Sequence, residues 1–182
     1  PESEELACTL LQHALPLTAG SHSVGVVPCV NPDGLAAKTR VNAAGVDLNR
    51  NFPTHNWILN IPGDPYYSGP TAASEPETRW IISLLQHYKP SQIISLHTPY
   101  QVVNFDGPAH ALASLIAQHT GYPMVDSIGY PTPGSFGCYA GIERHIPTVT
   151  LELGEKQAWT VAAQNLALNS LYAAIGLPAV PT

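Results

Sequence analysis

Two arginines and two amides lie close together in a loop-rich segment, residues 31–53. They are Arg40, Asn49, Arg50 and Asn51. With Lys38, this segment holds three of the chain's 7 lysines and arginines, although the protein carries a net charge of -6. A guanidinium presents a rigid fork of donors that fits a carboxylate. A cationic loop on an anionic protein therefore indicates a site that recognises an anion.

A histidine and a carboxylate stand in or beside apolar strands further along the chain. His97 directly follows Ile-Ile-Ser-Leu, and Glu152 interrupts a run of Thr, Val and Leu. His97 could be a capped core residue or a metal ligand. A buried carboxylate needs a partner, so Glu152 is either in an ion pair with Arg40, Arg50 or Arg144, or a general base whose pKa is set by burial. Together with the arginines, this set could carry out metal-assisted hydrolysis of a substrate that ends in a carboxylate.

Helices alternate with strands around these residues. Apolar periodicity predicts helices over 2–15, 75–89, 109–119 and 156–175, and strands over 23–30, 92–96 and 148–153. A capping box between Ser74 and Glu77 is expected to start the second helix. The alternation indicates an α/β sheet covered on both faces. Sites in such sheets form at the carboxyl ends of strands, where Asn31, His97 and Glu152 fall.

Composition excludes several classes of function. The 182 residues suffice for one domain, and the net charge of -6 argues against a nucleic-acid partner. No apolar run approaches the length of a membrane span. The 3 cysteines form no Cys-x-x-Cys pair, which fits reduced thiols in a cytoplasmic protein. We expect a cytoplasmic protein that binds neither nucleic acid nor membrane.

Five short motifs, taken in order, resemble those of the zinc carboxypeptidase family, the carboxypeptidase A-like enzymes. They are Asn31-Pro32-Asp33-Gly34, Gly45-Val46-Asp47-Leu48-Asn49-Arg50-Asn51-Phe52, Ser74-Glu75-Pro76-Glu77, Ser95-Leu96-His97 and Thr150-Leu151-Glu152-Leu153. Any one of them is a weak signal, but five in the family's order are a strong one. The resemblance implies a single catalytic domain over residues 1–182. Its expected fold is a three-layer α/β arrangement, with a mixed, mostly parallel sheet flanked by helices.

The resemblance also implies roles for individual residues. His97 is expected to be a zinc ligand and Glu152 the general base that takes a proton from the attacking water. Arg40 is expected to stabilise the oxyanion, Asn49 and Arg50 to hold the terminal carboxylate of a small peptide substrate, and Tyr130 to close over that substrate. Asp47 and Asn51 are expected to shape the loop.

The zinc site of the family needs a His-x-x-Glu motif in addition to the later histidine. No such motif precedes Asn31, and residues 1–5 resemble those that directly follow it in family members. We therefore expect the chain to begin just after two of its three zinc ligands, and to lack the N-terminal strands of the family sheet. One histidine alone cannot hold catalytic zinc.

Within the family, the chain is most similar to bacterial murein peptide amidases, which cleave the bond between γ-D-glutamate and meso-diaminopimelate. Residues 40–45 and 129–137 favour this subgroup. The alternatives are an ordinary peptide carboxypeptidase, an N-acyl amino acid deacylase of the same fold, and a metal-free module that binds carboxylates. In the family, residues near Phe136 line the specificity pocket. Phe136, Gly137 and Cys138 include no acid, which disfavours a preference for basic side chains.

Overall fold

A four-stranded mixed sheet organises the protein, which we describe from a computed structural model covering residues 6–10, 23–155, 158 and 160–177. The strands are β1 (Ile93–His97), β2 (Val103–Asp106), β3 (Met124–Val125) and β4 (Thr148–Glu152). The helices are α1 (Pro32–Ala37), α2 (Pro76–Tyr88), α3 (His110–Thr120) and α4 (Val161–Ala174), and residues 6–10 are also helical. A 3-10 turn spans Leu48–Arg50, and a π-helical turn spans Cys138–Ile142.

The strand order is β1-β4-β2-β3. β1 runs parallel to β4 and β2 runs parallel to β3, whereas β2 and β4 are antiparallel. The expected α/β fold with a mixed, mostly parallel sheet is therefore confirmed. His97 stands directly beside Glu152 in the β1–β4 register, so the pairing of these two strands brings the two residues together.

Alternation along the strands gives the sheet one apolar and one polar face. Val149, Leu151 and Val103 are fully buried and belong to a core cluster that includes side chains of α3 and α4. The intervening residues of the three longer strands face the other way. Six of these polar side chains line one cleft, namely Ser95, His97, Asn104, Asp106, Thr150 and Glu152.

The structure departs from the predicted elements at several points. The sequence does not predict β2 or β3. The last predicted helix, 156–175, begins only at Val161, because Thr160 is its N-cap residue and Oγ1 of Thr160 accepts from Ala163 N at 3.2 Å.

The predicted strand over residues 23–30 is wrong: the segment has no regular structure, because no strand of the described residues pairs with it. Asn31 instead caps α1, since its Oδ1 accepts from Gly34 N at 2.9 Å. The first predicted helix is seen at residues 6–10, and the remainder of 2–15 lies outside the described residues.

The predicted capping box of α2 is also wrong. Glu75, not Ser74, is the N-cap residue, and its side chain makes no capping bond. Its buried carboxylate instead accepts from Ser74 Oγ at 2.7 Å and from Asn42 Nδ2 at 2.7 Å. Asn42 Oδ1 in turn accepts from Val46 N at 3.0 Å. The acid therefore anchors the segment between the two site arginines rather than the helix terminus.

Asn51 fixes the other end of that segment. It follows the Leu48–Arg50 turn and is fully buried. Its Oδ1 accepts from Glu75 N at 3.1 Å. Its Nδ2 lies within hydrogen-bond distance of Ser68 O (2.7 Å), Ser74 Oγ (2.9 Å) and Thr71 O (3.1 Å). One side chain thus ties the arginine-bearing loop to residues 68–75.

We expect Asn51→Ala to lower the free energy of unfolding by about 2–3 kcal/mol, because it leaves buried carbonyls without donors. Equilibrium unfolding in urea measures the change. Asn60→Ala is the matched control, since Asn60 Nδ2 makes one exposed bond to Tyr66 O at 2.8 Å, and it should cost less than about 1 kcal/mol. Equal losses in the two variants would contradict the anchoring role of Asn51.

Candidate active site

The polar face of the sheet forms the floor of a cleft, and two loops form its walls. One wall comes from residues 40–66 and the other from residues 128–137. All six residues expected from the sequence to form the site line this cleft: Arg40, Asn49, Arg50, His97, Tyr130 and Glu152. The strands place His97 and Glu152, whereas loops place the other four.

His97 and Glu152 lie side by side, with Nδ1 and Oε1 separated by 3.7 Å. Glu152 is only 4% exposed. Its Oε2 is buried and has no hydrogen-bond partner in the structure. The interpretation of Glu152 as a structural ion pair with an arginine is wrong for the described residues, because Arg40 pairs with Asp47 and Arg144 with Glu143. A buried carboxylate oxygen without a donor is costly, and it is well suited to accept a proton or bind a ligand.

Burial and the neighbouring charges set the protonation states of this pair. Burial raises the pKa of Glu152, opposed by a hydrogen bond from the Tyr100 backbone and by the charge of Arg40. Burial, together with the charges of Arg40 and Arg50, lowers the pKa of His97 to about 4, against the opposing effect of Asp47. His97 is therefore neutral at pH 7, which is the form that a metal ligand requires.

Arg40 is held at the edge of the cleft by an ion pair. Its Nε donates to Asp47 Oδ2 at 2.7 Å, and the side chain of Arg40 remains 45% exposed. Asp47 Oδ1 accepts from Asn49 N at 3.0 Å, so Asp47 also caps the 3-10 turn. As expected, Asp47 shapes the loop. Because Asp47 pairs with Nε, the other two nitrogens of the Arg40 guanidinium are not bonded to this carboxylate. Arg40 lines the cleft.

Arg50 is a buried cation without a carboxylate partner among the described residues. It is 4% exposed and donates through Nη1 to Asn49 O at 2.7 Å. Asn49 Oδ1 accepts from Phe136 N at 2.8 Å, which leaves the amide group of Asn49 as the donor on that side chain. A buried guanidinium beside an amide donor favours the binding of an anion at this point of the cleft.

Two tyrosines that the sequence did not single out complete the walls. The guanidinium carbons of Arg40 and Arg50 lie 4.9 and 5.5 Å from the ring centroid of Tyr66. Tyr100 forms a side-chain hydrogen bond with Tyr130; burial and this bond raise the pKa of Tyr130. No motif marks Tyr66 in the sequence. Tyr100 lies three residues after His97, and this proximity could have indicated that it belongs to the site.

The cleft also contains an acid that the sequence analysis missed. Asp106, at the end of β2, lines it and lies against Gly137, where an added Cβ would come within 2.1 Å of Asp106 Oδ2. The expectation that no acid stands near Phe136 is therefore wrong. That expectation rested on the residues next to Phe136 in the sequence, whereas Asp106 belongs to a strand thirty residues earlier in the chain.

The described residues contain donors that could contribute to a metal site. His97 is neutral and lies beside the partnerless oxygen of Glu152, and this donor set suits zinc. No group of three or more His, Cys, Asp or Glu side chains in the described part of the chain could hold a metal ion. His97 thus fits one of the roughly three protein ligands that catalytic zinc needs.

None of the helices in the described ranges is long and apolar enough to cross a membrane.

Known relatives share both sequence and fold with this chain. Murein peptide amidase A of Escherichia coli K12 is 40% identical over 129 residues, which cover 63% of this chain and 51% of that protein. Murein peptide amidase A of Vibrio campbellii is 37% identical over 160 residues, which cover 81% of this chain and 62% of that protein. The chain thus spans between half and two thirds of the length of these relatives.

Solved structures agree with this relationship. The crystal structure of murein-tripeptide amidase MpaA from Escherichia coli O157 matches with a TM-score of 0.63 at 32% identity, covering 78% of this chain and 66% of that one. Thrombin activatable fibrinolysis inhibitor matches with a TM-score of 0.74 at 17% identity, covering 96% of this chain and 58% of that one, which shows the fold alone. The sequence pattern of the zinc carboxypeptidases matches residues 19–160, and the chain belongs to the zinc carboxypeptidase family.

Proposed function

We propose that the protein hydrolyses the amide bond between γ-D-glutamate and meso-diaminopimelate in murein peptides, as a zinc-dependent enzyme. The observation that carries the proposal is that a buried carboxylate and a buried guanidinium line one cleft, and neither pairs with an oppositely charged side chain among the described residues. Glu152 has a carboxylate oxygen without a donor, and Arg50 has no carboxylate partner among the residues that the structure describes. The first suits a proton acceptor, and the second suits the terminal carboxylate of a substrate. The names of the relatives support the choice of substrate.

His97 would hold zinc together with ligands outside the described residues. When bound, zinc supplies a Lewis acid that polarises a carbonyl and lowers the pKa of water towards about 7. The neutral state of His97, set by burial and by the two arginines, keeps its ring nitrogen available for this role.

Glu152 acts as the general base. It accepts a proton from the water molecule that attacks the carbonyl carbon of the scissile amide, and it returns a proton to the amine that leaves when the C–N bond breaks. Arg40 faces the negative charge that develops on the carbonyl oxygen. Because Asp47 holds Arg40 through Nε, the cation is in position before the charge forms, which is the requirement for electrostatic stabilisation.

Arg50 and Asn49 hold the substrate carboxylate next to the scissile bond. A buried, pre-positioned guanidinium contributes a charge-assisted, two-pronged contact, and the Asn49 amide adds a donor. Fixing the chain terminus in this way selects the last amide bond for attack. Tyr130 lines the same cleft, and we expect it to close over the bound peptide.

We expect Glu152→Gln to lower kcat on L-alanyl-γ-D-glutamyl-meso-diaminopimelate by about 10²–10⁴-fold, because the amide cannot accept the proton. KM should change little, since Glu152 does not bind the carboxylate. Single-turnover kinetics on the full-length protein, with zinc content measured in parallel, tests this. Glu155→Gln, an exposed acid after β4, serves as the control. Normal turnover by the zinc-loaded Glu152→Gln variant would refute the general-base role.

We expect Arg50→Gln to lower kcat/KM about 10²–10³-fold on a tripeptide with a free terminal carboxylate. On the same peptide with that carboxylate converted to an amide, wild type and variant should differ by less than about 3-fold, since the partner of Arg50 is already absent. Lys38→Gln, an exposed cation outside the cleft, is the control. An equal loss on both peptides would show that Arg50 supports the fold rather than the carboxylate.

We expect the full-length protein to hold about one zinc ion per chain and to lose turnover on dialysis against a chelator, with recovery on adding zinc. Elemental analysis and diaminopimelate release measure the two. Zinc without diaminopimelate release would redirect the substrate search to ordinary peptides and N-acyl amino acids. Binding of peptide carboxylates with neither zinc nor turnover would favour the metal-free binding module.

A further inference from the structure

The ring of Tyr66 contacts both arginines of the cleft. The guanidinium carbon of Arg40 lies 4.9 Å from the centroid of this ring, and that of Arg50 lies 5.5 Å from the same centroid. Both distances fall within the roughly 6 Å over which the face of a ring attracts a cation. Tyr66 and the two arginines also line the same cleft. One aromatic side chain therefore joins the two cations to which the proposed mechanism gives different tasks.

Two like charges share this part of the cleft. Arg40 and Arg50 act on the same histidine, since the charge of each lowers the pKa of His97. Asp47 pairs with Arg40 at 2.7 Å, whereas Arg50 has no carboxylate partner among the described residues. Mutual repulsion opposes holding the two cations near each other. The electron-rich face of a ring beside both of them offsets part of that repulsion.

An aromatic ring suits this place better than a second acid. A carboxylate beside Arg50 would accept the N–H bonds that an anionic ligand needs. A ring attracts a guanidinium through its face, and it leaves the donors in the plane of the guanidinium available. Tyr66 thus stabilises the cations without competing with the ligand for them.

The loop that carries Tyr66 is closed at its base by Ser68. Ser68 is buried, and its Oγ donates to Ile58 O at 2.8 Å and accepts from Asn60 N at 3.1 Å. Asn60 Nδ2 in turn donates to the carbonyl of Tyr66 at 2.8 Å. Residues 58–68 therefore form a closed loop, and hydrogen bonds within the loop hold the backbone of Tyr66.

The same loop is bonded to the segment that carries the arginines. Asp47 N donates to the carbonyl of Tyr67 at 2.8 Å, and Asn51 Nδ2 donates to the carbonyl of Ser68 at 2.7 Å. Asp47 and Asn51 are the two cap residues of the Leu48–Arg50 turn. The backbone that follows the tyrosine ring is thus tied to both ends of that turn.

We propose that Tyr66 is a positioning residue that holds the guanidinium groups of Arg40 and Arg50 in place for the substrate. The inference rests on the proposed function, because it takes Arg40 to face the oxyanion and Arg50 to bind the terminal carboxylate. It deepens that function, because one ring then serves both tasks. Loss of the ring lowers kcat through Arg40 and raises KM through Arg50, whereas loss of the hydroxyl alone has little effect.

The test compares Tyr66→Leu with Tyr66→Phe in the full-length protein, with zinc content measured in parallel. On L-alanyl-γ-D-glutamyl-meso-diaminopimelate, Tyr66→Leu should lower kcat/KM about 10-fold, with the loss divided between kcat and KM. Tyr66→Phe keeps the ring and should stay within about 2-fold of wild type. Tyr88→Leu is the matched control, since Tyr88 is exposed on α2 outside the cleft, and it should change neither constant. Equal losses in Tyr66→Leu and Tyr66→Phe would overturn the proposal.

A double variant distinguishes positioning from a general effect on the fold. Tyr66 is 42% exposed, so Tyr66→Leu should leave the protein folded, which urea unfolding checks. In the Arg50→Gln background, the loss in kcat/KM caused by Tyr66→Leu should shrink to about 3-fold, because only Arg40 remains for the ring to position. The same loss in both backgrounds would contradict the proposal.

Binding of L-norleucine and L-norleucinamide, measured by calorimetry on the zinc-loaded protein, separates this proposal from the proposed function. The first ligand has a carboxylate and the second has none. Suppose that no tripeptide is cleaved, but norleucine binds at least about 5-fold more tightly than its amide, and that this preference falls below about 2-fold in Tyr66→Leu and persists in Tyr66→Phe. The positioning role then stands and the amidase function fails. If wild type lacks the preference, or Tyr66→Leu keeps it, the positioning role is wrong, whether or not the tripeptide is cleaved.

Discussion

The register of β4 against its two neighbours is the constraint on which the site depends. β4 pairs in parallel with β1 and antiparallel with β2, so residues two apart on all three strands face the same side. A shift of one residue in either pairing would send the polar side chains into the core that α3 and α4 cover. The fully buried Val149 and Leu151 oppose such a shift. Core packing on one face thus enforces the order of functional groups on the other.

The site accumulates charges that the fold leaves partnerless. Arg50 is 4% exposed and has no described carboxylate partner, and Glu152 retains a buried oxygen without a donor. Other charged groups have partners within the protein: Asp47 pairs with Arg40 at the edge of the cleft, and the buried Glu75 accepts from Ser74 and Asn42. Perturbed charges without partners are typical of functional sites, whereas the paired ones stabilise the loops.

The sequence predicted what depends on local pattern and on chain order. The motifs identified the family, and the alternation of helices and strands predicted the α/β sheet. The predicted strand ends also placed His97 and Glu152 at the same edge of the sheet, as the structure has them. It failed where a backbone needs a distant partner: residues 23–30 are apolar enough for a strand, but no described strand pairs with them. It also missed Asp106 and Tyr66, because neither lies beside a motif and both reach the cleft through tertiary folding. The sequence did not reveal that Asn51 and Glu75 anchor the loop, since Asn51 bonds to Ser68, 17 positions away, and Glu75 to Asn42, 33 positions away.

The hydrogen bond from Phe136 N to Asn49 Oδ1 joins the two walls of the cleft. Asn49 lies in the 3-10 turn that Asp47 caps, and Phe136 precedes Gly137, where an added Cβ would come within 2.1 Å of Asp106 Oδ2. A movement of either loop therefore carries the other wall with it or breaks this bond. The two walls consequently act as one unit, so a substitution that displaces one loop also alters the shape of the cleft on the opposite side.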